Sequence, residues 1–124
     1  MQRKGSRDEE PAKKVLHIAR ELPSREEVTR FMHDEMLPVG TLETHYACGG
    51  EVRCVIFRSA GGYVTYCFER LCFLDAEEYS HSAVPAVWQP LQEGGLKPVY
   101  TSVRDLRRQL IFEPEYRMYF GKNN

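Results

Sequence analysis

A chain of 124 residues falls within the size of a single domain and should bury roughly two-thirds of the surface its unfolded form exposes, so no metal or disulfide staple is needed for folding. A hydrophobic fraction of 42%, a charged fraction of 28% and a supply of seven Tyr, six Phe and one Trp argue against wholesale disorder. With 17 basic residues against 18 acidic ones, the net charge of -1 leaves no long-range field to gather nucleic acid or to coat an anionic membrane.

The polar start predicts a flexible arm over residues 1–10, with no apolar segment resembling a secretory signal. Cytoplasm is therefore the default location, and the four cysteines read as reduced thiols rather than a disulfide framework. Asp8, Glu9 and Glu10 precede Pro11, which suits the positive end of a helix dipole, and Val15, Ile18, Ala19 and Leu22 repeat at helical spacing. These features predict a helix from about Pro11 to Glu21, with a short strand through Val15 to Ala19 as the rival reading. Ser24 and Glu27 form a capping box, and Val28, Phe31, Met32, Glu35 and Met36 extend a second helix that Leu37 to Gly40 terminates.

Beyond Gly40 the period changes to strand-like alternation in three runs: Thr41 to Cys48, Glu51 to Arg58, and Tyr63 to about Leu74. Gly49-Gly50 and Ser59-Ala60-Gly61-Gly62 separate them as hairpin turns, which predicts an antiparallel meander. Asp75 to Pro98 lacks a regular pattern, and a stretch this long covers a surface, carries function or hides a short strand. Its uncharged part, Ser80 to Gln92, contains Pro85 and Pro90 and is too short to span a bilayer. Val99 to Thr101 could return as an edge strand. Ser102 with Asp105 opens a third helix carrying Val103, Leu106 and Leu110, and Pro114 opens a last segment with Tyr116, Tyr119 and Phe120 at helical spacing. The expected architecture is α+β: a meander of three to five strands with two or three helices on one face, forming one domain over residues 11–124.

Candidate chemistry is sparse. A two-residue Gly49-Gly50 loop pairs His45 with Cys54, and a four-residue loop at Ser59 to Gly62 then pairs Cys54 with Cys67. His45, Cys54 and Cys67 would form a row that could ligate zinc, with His81 as a fourth donor, but the spacing is poor for a structural zinc site and packed thiols are the preferred reading. His45-x-x-Cys48 points to opposite faces. His45 beside Cys54 is also the one pairing that could lower a thiol pKa for nucleophilic use, without a sequence signature to support it. The adjacent acids Glu77 and Glu78 read as solvated, and GxSxG, phosphate-loop, HExxH and dinucleotide motifs are missing. No catalytic residue and no cofactor is expected.

In the expected faces, Tyr46, Val55, Phe57, Val64, Tyr66 and Phe68 lie beneath the helices. Glu43, His45, Val52, Cys54, Ile56, Tyr63, Thr65, Cys67 and Glu69 form a mixed opposite face, too apolar to stay wet and a candidate small-ligand or metal site. Arg104, Arg107 and Arg108 make the third helix a nucleic-acid alternative, although a solvated, salt-bridged face is the plainer reading. The lone Trp88 between two prolines either holds the long segment down as a lid or stands out as an interface anchor. The leading expectation is a non-catalytic interaction module, an adaptor or inhibitor, that binds another protein or a second copy of itself. Tyr79, His81, Trp88 and Tyr100 are its candidate contact residues, and nucleic acid and membrane are not expected partners.

Overall fold

In the computed structural model the described residues are 22–91 and 97–121, so the expected arm over 1–10, the helix over 11–21 and the Glu93–Gly95 turn lie outside them. Helix α1 (Arg25–Phe31) begins where its capping box places it. Ser24 Oγ accepts from the Glu27 N–H at 3.1 Å, and Glu27 Oε1 accepts from the Ser24 N–H at 2.8 Å. It ends at Phe31 rather than continuing to Met36, because Asp34 and Met36 adopt left-handed φ values of 63° and 58°. A buried arginine stabilises that turn, as described below.

Four strands follow the expected alternation: β1 (Thr41–Ala47), β2 (Val52–Arg58), β3 (Val64–Phe73) and β4 (Ala86–Pro90). They form one antiparallel sheet in the order β1-β2-β3-β4. The segment from Asp75 to Pro98 therefore does hide a strand. It also carries a short helix, α2 (Ala76–Ser80), opened by a second capping box between Asp75 and Glu78. Gly40 sits at the entrance to the meander with φ 89°; its carbonyl accepts from the Arg58 N–H at 2.9 Å, and a Cβ there would stand 2.6 Å from the Arg58 carbonyl oxygen. Tyr100 returns beside β3 as an isolated bridge to Val64, not as a strand.

Helix α3 (Val103–Leu110) starts at Ser102, whose hydroxyl accepts from the Asp105 N–H at 3.1 Å, and α4 (Pro114–Phe120) follows with Pro114 in its first turn. Leu106 and Leu110 of α3 pack with Cys54, Ile56, Val64, Tyr66 and Phe68, against which Tyr116 and Phe120 of α4 also lie. On the other side of the sheet Val28 and Met32 at α1 pack with Leu71, Ala86 and Trp88. The helices thus occupy both faces. Two of them, α3 and α4, form the expected single-face layer, and α1 closes the opposite side.

One register differs from expectation, and the difference reverses a whole strand. The first hairpin pairs His45 with Cys54 as the two-glycine turn implies. At the second, Arg58 pairs with Val64, so five residues rather than four form the loop, closed by the Ser59 N–H donating to the Tyr63 carbonyl at 2.7 Å. A slip of one residue turns every β3 side chain to the other face. Cys54 therefore faces with Phe68, while Cys67 faces with Val55. Tyr66 and Phe68 consequently share the His45 and Cys54 face, under α3 and α4, and not the Tyr46 and Val55 face.

Candidate functional site

The register separates the candidate zinc row, for which packed thiols are the preferred reading. His45 and Cys54 remain neighbours, but Cys67 lies on the other side of the sheet. Both imidazole nitrogens of His45 are occupied: Nε2 lies 2.6 Å from Glu43 Oε2 and Nδ1 lies 3.0 Å from the Tyr116 hydroxyl. Because a carboxylate only accepts, Nε2 donates to Glu43, while Nδ1 is paired with the Tyr116 hydroxyl. Arg107 closes the cluster with a two-pronged contact to Glu43, its Nη2 2.6 Å from Oε1 and its Nε 3.0 Å from Oε2. The Arg107 hydrogen bond is the largest cause holding the Glu43 carboxyl down at about 2, and the His45 hydrogen bond adds to it. Burial pushes the Cys54 thiol upward and the Cys67 thiol up to about 11. Such thiols are poor nucleophiles. The Glu43-His45-Tyr116-Arg107 cluster joins β1, α3 and α4 with its polar atoms satisfied, which makes it a clamp. Among the described residues, no group of three or more His, Cys, Asp or Glu side chains is arranged to hold a metal ion.

The opposite face contains a fully buried cation that the sequence does not announce. Arg53 is 0% exposed. Its Nε donates to Glu69 Oε1 at 2.7 Å, Nη1 to the Glu35 carbonyl at 2.8 Å and Nη2 to the Met36 carbonyl at 3.0 Å. Trp88 lies beneath the guanidinium, is only 6% exposed, and donates its Nε1–H to the Met32 carbonyl at 3.1 Å. The lid reading of Trp88 fits this placement, and an exposed anchor does not. Tyr46 adds a further tie: its hydroxyl donates to Asp34 Oδ1 and accepts from the Asp34 N–H, both at 2.8 Å, while its ring stacks on His33.

The four residues singled out as contact candidates are not brought together. Tyr79 and His81 lie on and just after α2, Trp88 faces α1 opposite Leu71, and Tyr100 packs beside Val64 at the far end of β3. The arginine trio also divides, because Arg107 is engaged by Glu43, leaving Arg104 and Arg108 on the outer side of α3. The mixed sheet face proposed for a ligand is divided: Cys54 and Ile56 of β2 lie beneath α3 and α4, whereas Cys67 and Glu69 of β3 lie on the opposite side with Val55 and Arg53.

The sheet edges are more informative. Leu71 N–H donates to the Glu51 carbonyl, which sets the odd-numbered backbone groups of β2 toward β3 and the even-numbered ones toward β1. Glu43, His45 and Ala47 of β1 consequently bond β2, and the N–H and C=O groups of Thr44 and Tyr46 point away from the sheet. Among the described residues no strand lies on that side. A groove of about 430 Å³ runs beside it, lined by residues that include Asp34, Leu37, Leu42 and Thr44. Leu42 is the extra residue of a bulge, is 45% exposed, and follows exposed Met36 and Val39. The β4 edge differs. Leu74 N–H donates to the Pro85 carbonyl, so the backbone groups of Ala86, Trp88 and Pro90 point away from β3, and Pro90 has no N–H to offer a further strand. A second groove, about 670 Å³, lies between α1 and the Gly49-Gly50 turn, where Arg25 is held by Glu51 in contacts of 2.7 and 2.8 Å.

The class defined by this architecture is an α+β domain with a four-stranded antiparallel meander between α1 on one face and α3 and α4 on the other. No protein-family description, curated protein or solved structure matches the chain.

Proposed function

We propose that this domain is a non-catalytic interaction module that takes up an extended segment of another polypeptide along the outer edge of β1. The observation that carries the reading is the row of outward backbone groups at Thr44 and Tyr46, set beside a groove and next to exposed Met36, Val39 and Leu42. Main-chain hydrogen bonds to such an edge supply affinity, and side-chain pockets along it supply selectivity. The proline-stopped β4 edge supports a preference for β1, because natural sheets blunt the edges they do not use. The polar clusters point the same way. His45 and Arg53 have their donors and acceptors satisfied within the fold, so they hold the surface in place and leave no group poised to react.

Selection of displayed random peptides, with Thr44→Pro as the counter-screen, tests this proposal. The Thr44 N–H points outward, so the substitution removes a donor from the edge without taking a bond from the β1–β2 ladder. Selected peptides should bind the wild-type domain and lose most of their affinity for the variant. Peptides that bind both equally would place the contact elsewhere.

A further inference from the structure

We infer that an apolar groove at the start of α1 is the seat of this chain's own residues 11–21, with Ile18 as the side chain that fills it. The groove holds about 190 Å³ and is lined by Leu22, Pro23 and Val28 from the α1 region and by Phe73, Leu74 and Pro85 from the end of the β3–β4 pair. Arg25 completes the lining, its guanidinium carbon 4.3 Å from the Phe73 ring centroid and its nitrogens held by Glu51. The one charged group at the site is thus already engaged, which suits an apolar occupant. A cavity of about 150 Å³ takes a benzene-sized group, so this groove has room for one large aliphatic side chain. It includes no residue of β1, and the inference is independent of the function proposed for that edge.

Continuity, entry direction and charge select residues 11–21 as the occupant. The apolar stripe Val15, Ile18, Ala19 and Leu22 has its last member in the groove lining, where Leu22 is 47% exposed. Ile18 precedes Leu22 by four positions, so on a helix the two side chains are neighbours on one face. Pro23 and Val28 occupy the positions before and after the Ser24 cap that form a hydrophobic staple, a device that fixes the angle at which the chain enters a helix. Both line the groove, so the staple delivers the preceding chain to it. Leu22, Pro23 and Ser24 alone separate the segment from α1, and a link this short gives an effective concentration in the millimolar range. The segment carries Lys13, Lys14 and Arg20 against Glu21. Directly after Leu74 come Asp75, Glu77 and Glu78 at the start of α2, which has no basic residue. The Glu77 carboxylate is exposed and without an ion-pair partner among the described residues. A basic segment with one apolar stripe therefore meets an apolar groove with an acidic border, whereas the outer side of α3, with Arg104 and Arg108, would repel it.

NMR of the full chain tests the inference. Nuclear Overhauser contacts should join the Ile18 methyls to Phe73 and Leu74, and the amides of residues 15–21 should exchange at least about tenfold more slowly than in an unstructured chain. Ile18→Asp should return those amides to the unstructured rate, because a carboxylate is not accommodated in an apolar groove, while the Val55 amide in the centre of the sheet stays as slow as in the wild type. In a mixture of labelled and unlabelled chains the Ile18 contacts should remain within one chain. Contacts between chains would overturn the assignment of the segment to its own groove. Ile18 methyls without contact to Phe73 or Leu74, or free exchange over residues 15–21 in the wild type, would overturn the docking, and unchanged protection in Ile18→Asp would overturn the role given to Ile18.

Discussion

The guanidinium carbon of Arg53 lies 4.1 Å from the centroid of the Trp88 ring, and both side chains are tied to the chain just beyond α1: Trp88 through the Met32 carbonyl, Arg53 through the carbonyls of Glu35 and Met36. This stack joins the centre of the sheet to the turn that bears one wall of the β1 groove. Trp88→Ala should therefore destabilise the fold by about 3–5 kcal/mol, as for other buried aromatic truncations. Trp88→Phe should cost less, about 1–2 kcal/mol, for the lost indole hydrogen bond to the Met32 carbonyl, which keeps the Glu35 N–H as a donor. Urea denaturation midpoints of the two variants separate these contributions, and an unchanged midpoint for Trp88→Ala would contradict the placement of the ring.

Arg53→Met should be worse than its volume suggests. The substitution strands the Glu69 carboxylate, whose side chain is only 14% exposed, and removes the Arg53 hydrogen bonds to the Glu35 and Met36 carbonyls. Breaking one side of a buried ion pair costs about 3–5 kcal/mol. Pairing Arg53→Met with Glu69→Gln should recover part of that loss, measured as a coupling in a double-mutant cycle.

Ser24→Ala removes the acceptor for the Glu27 N–H and leaves a helix-end donor unsatisfied. The expected loss is about 1 kcal/mol. A shift of the denaturation midpoint without a change in slope is the signature of that loss.

The acid limb of the stability curve should depend on Glu43. Its carboxyl is lowered from 4.5 to about 2, first by the Arg107 hydrogen bond, with burial opposing and His45 assisting. A depressed carboxylate contributes stability that is fully present above the unfolded value and is lost as pH falls through the folded one. Stability should fall between about pH 4.5 and pH 2, and Arg107→Ala should flatten that limb. A variant with the wild-type acid profile would show that the contact adds nothing to folding.

The parts of the fold that could be read from the sequence are those set by local chemistry. The Ser24 and Ser102 caps, the three meander strands and the helical spacing of Tyr116 and Phe120 each follow from residues within one turn or one strand. The β3 faces could not be read this way, because they depend on whether the Ser59–Gly62 region closes over four residues or five, and one residue inverts the pattern. Arg53 was missed for a different reason. A charged residue reads as exposed unless its partners are known, and Glu69 and the Glu35 and Met36 carbonyls converge only in three dimensions. Its position inside the apolar run Val52-Arg53-Cys54-Val55-Ile56 is the one sequence signal that could have found it. The open β1 edge likewise depends on strand order and hydrogen-bond phase, which no single segment encodes.

Amide hydrogen exchange along β1 tests the interaction edge most directly. Glu43, His45 and Ala47 bond β2 and should exchange slowly, while the Thr44 and Tyr46 amides, which face away from the sheet, should exchange at rates near those of an unstructured chain. That alternation is the predicted result; equal protection of all five amides would contradict the open edge and the function proposed for it.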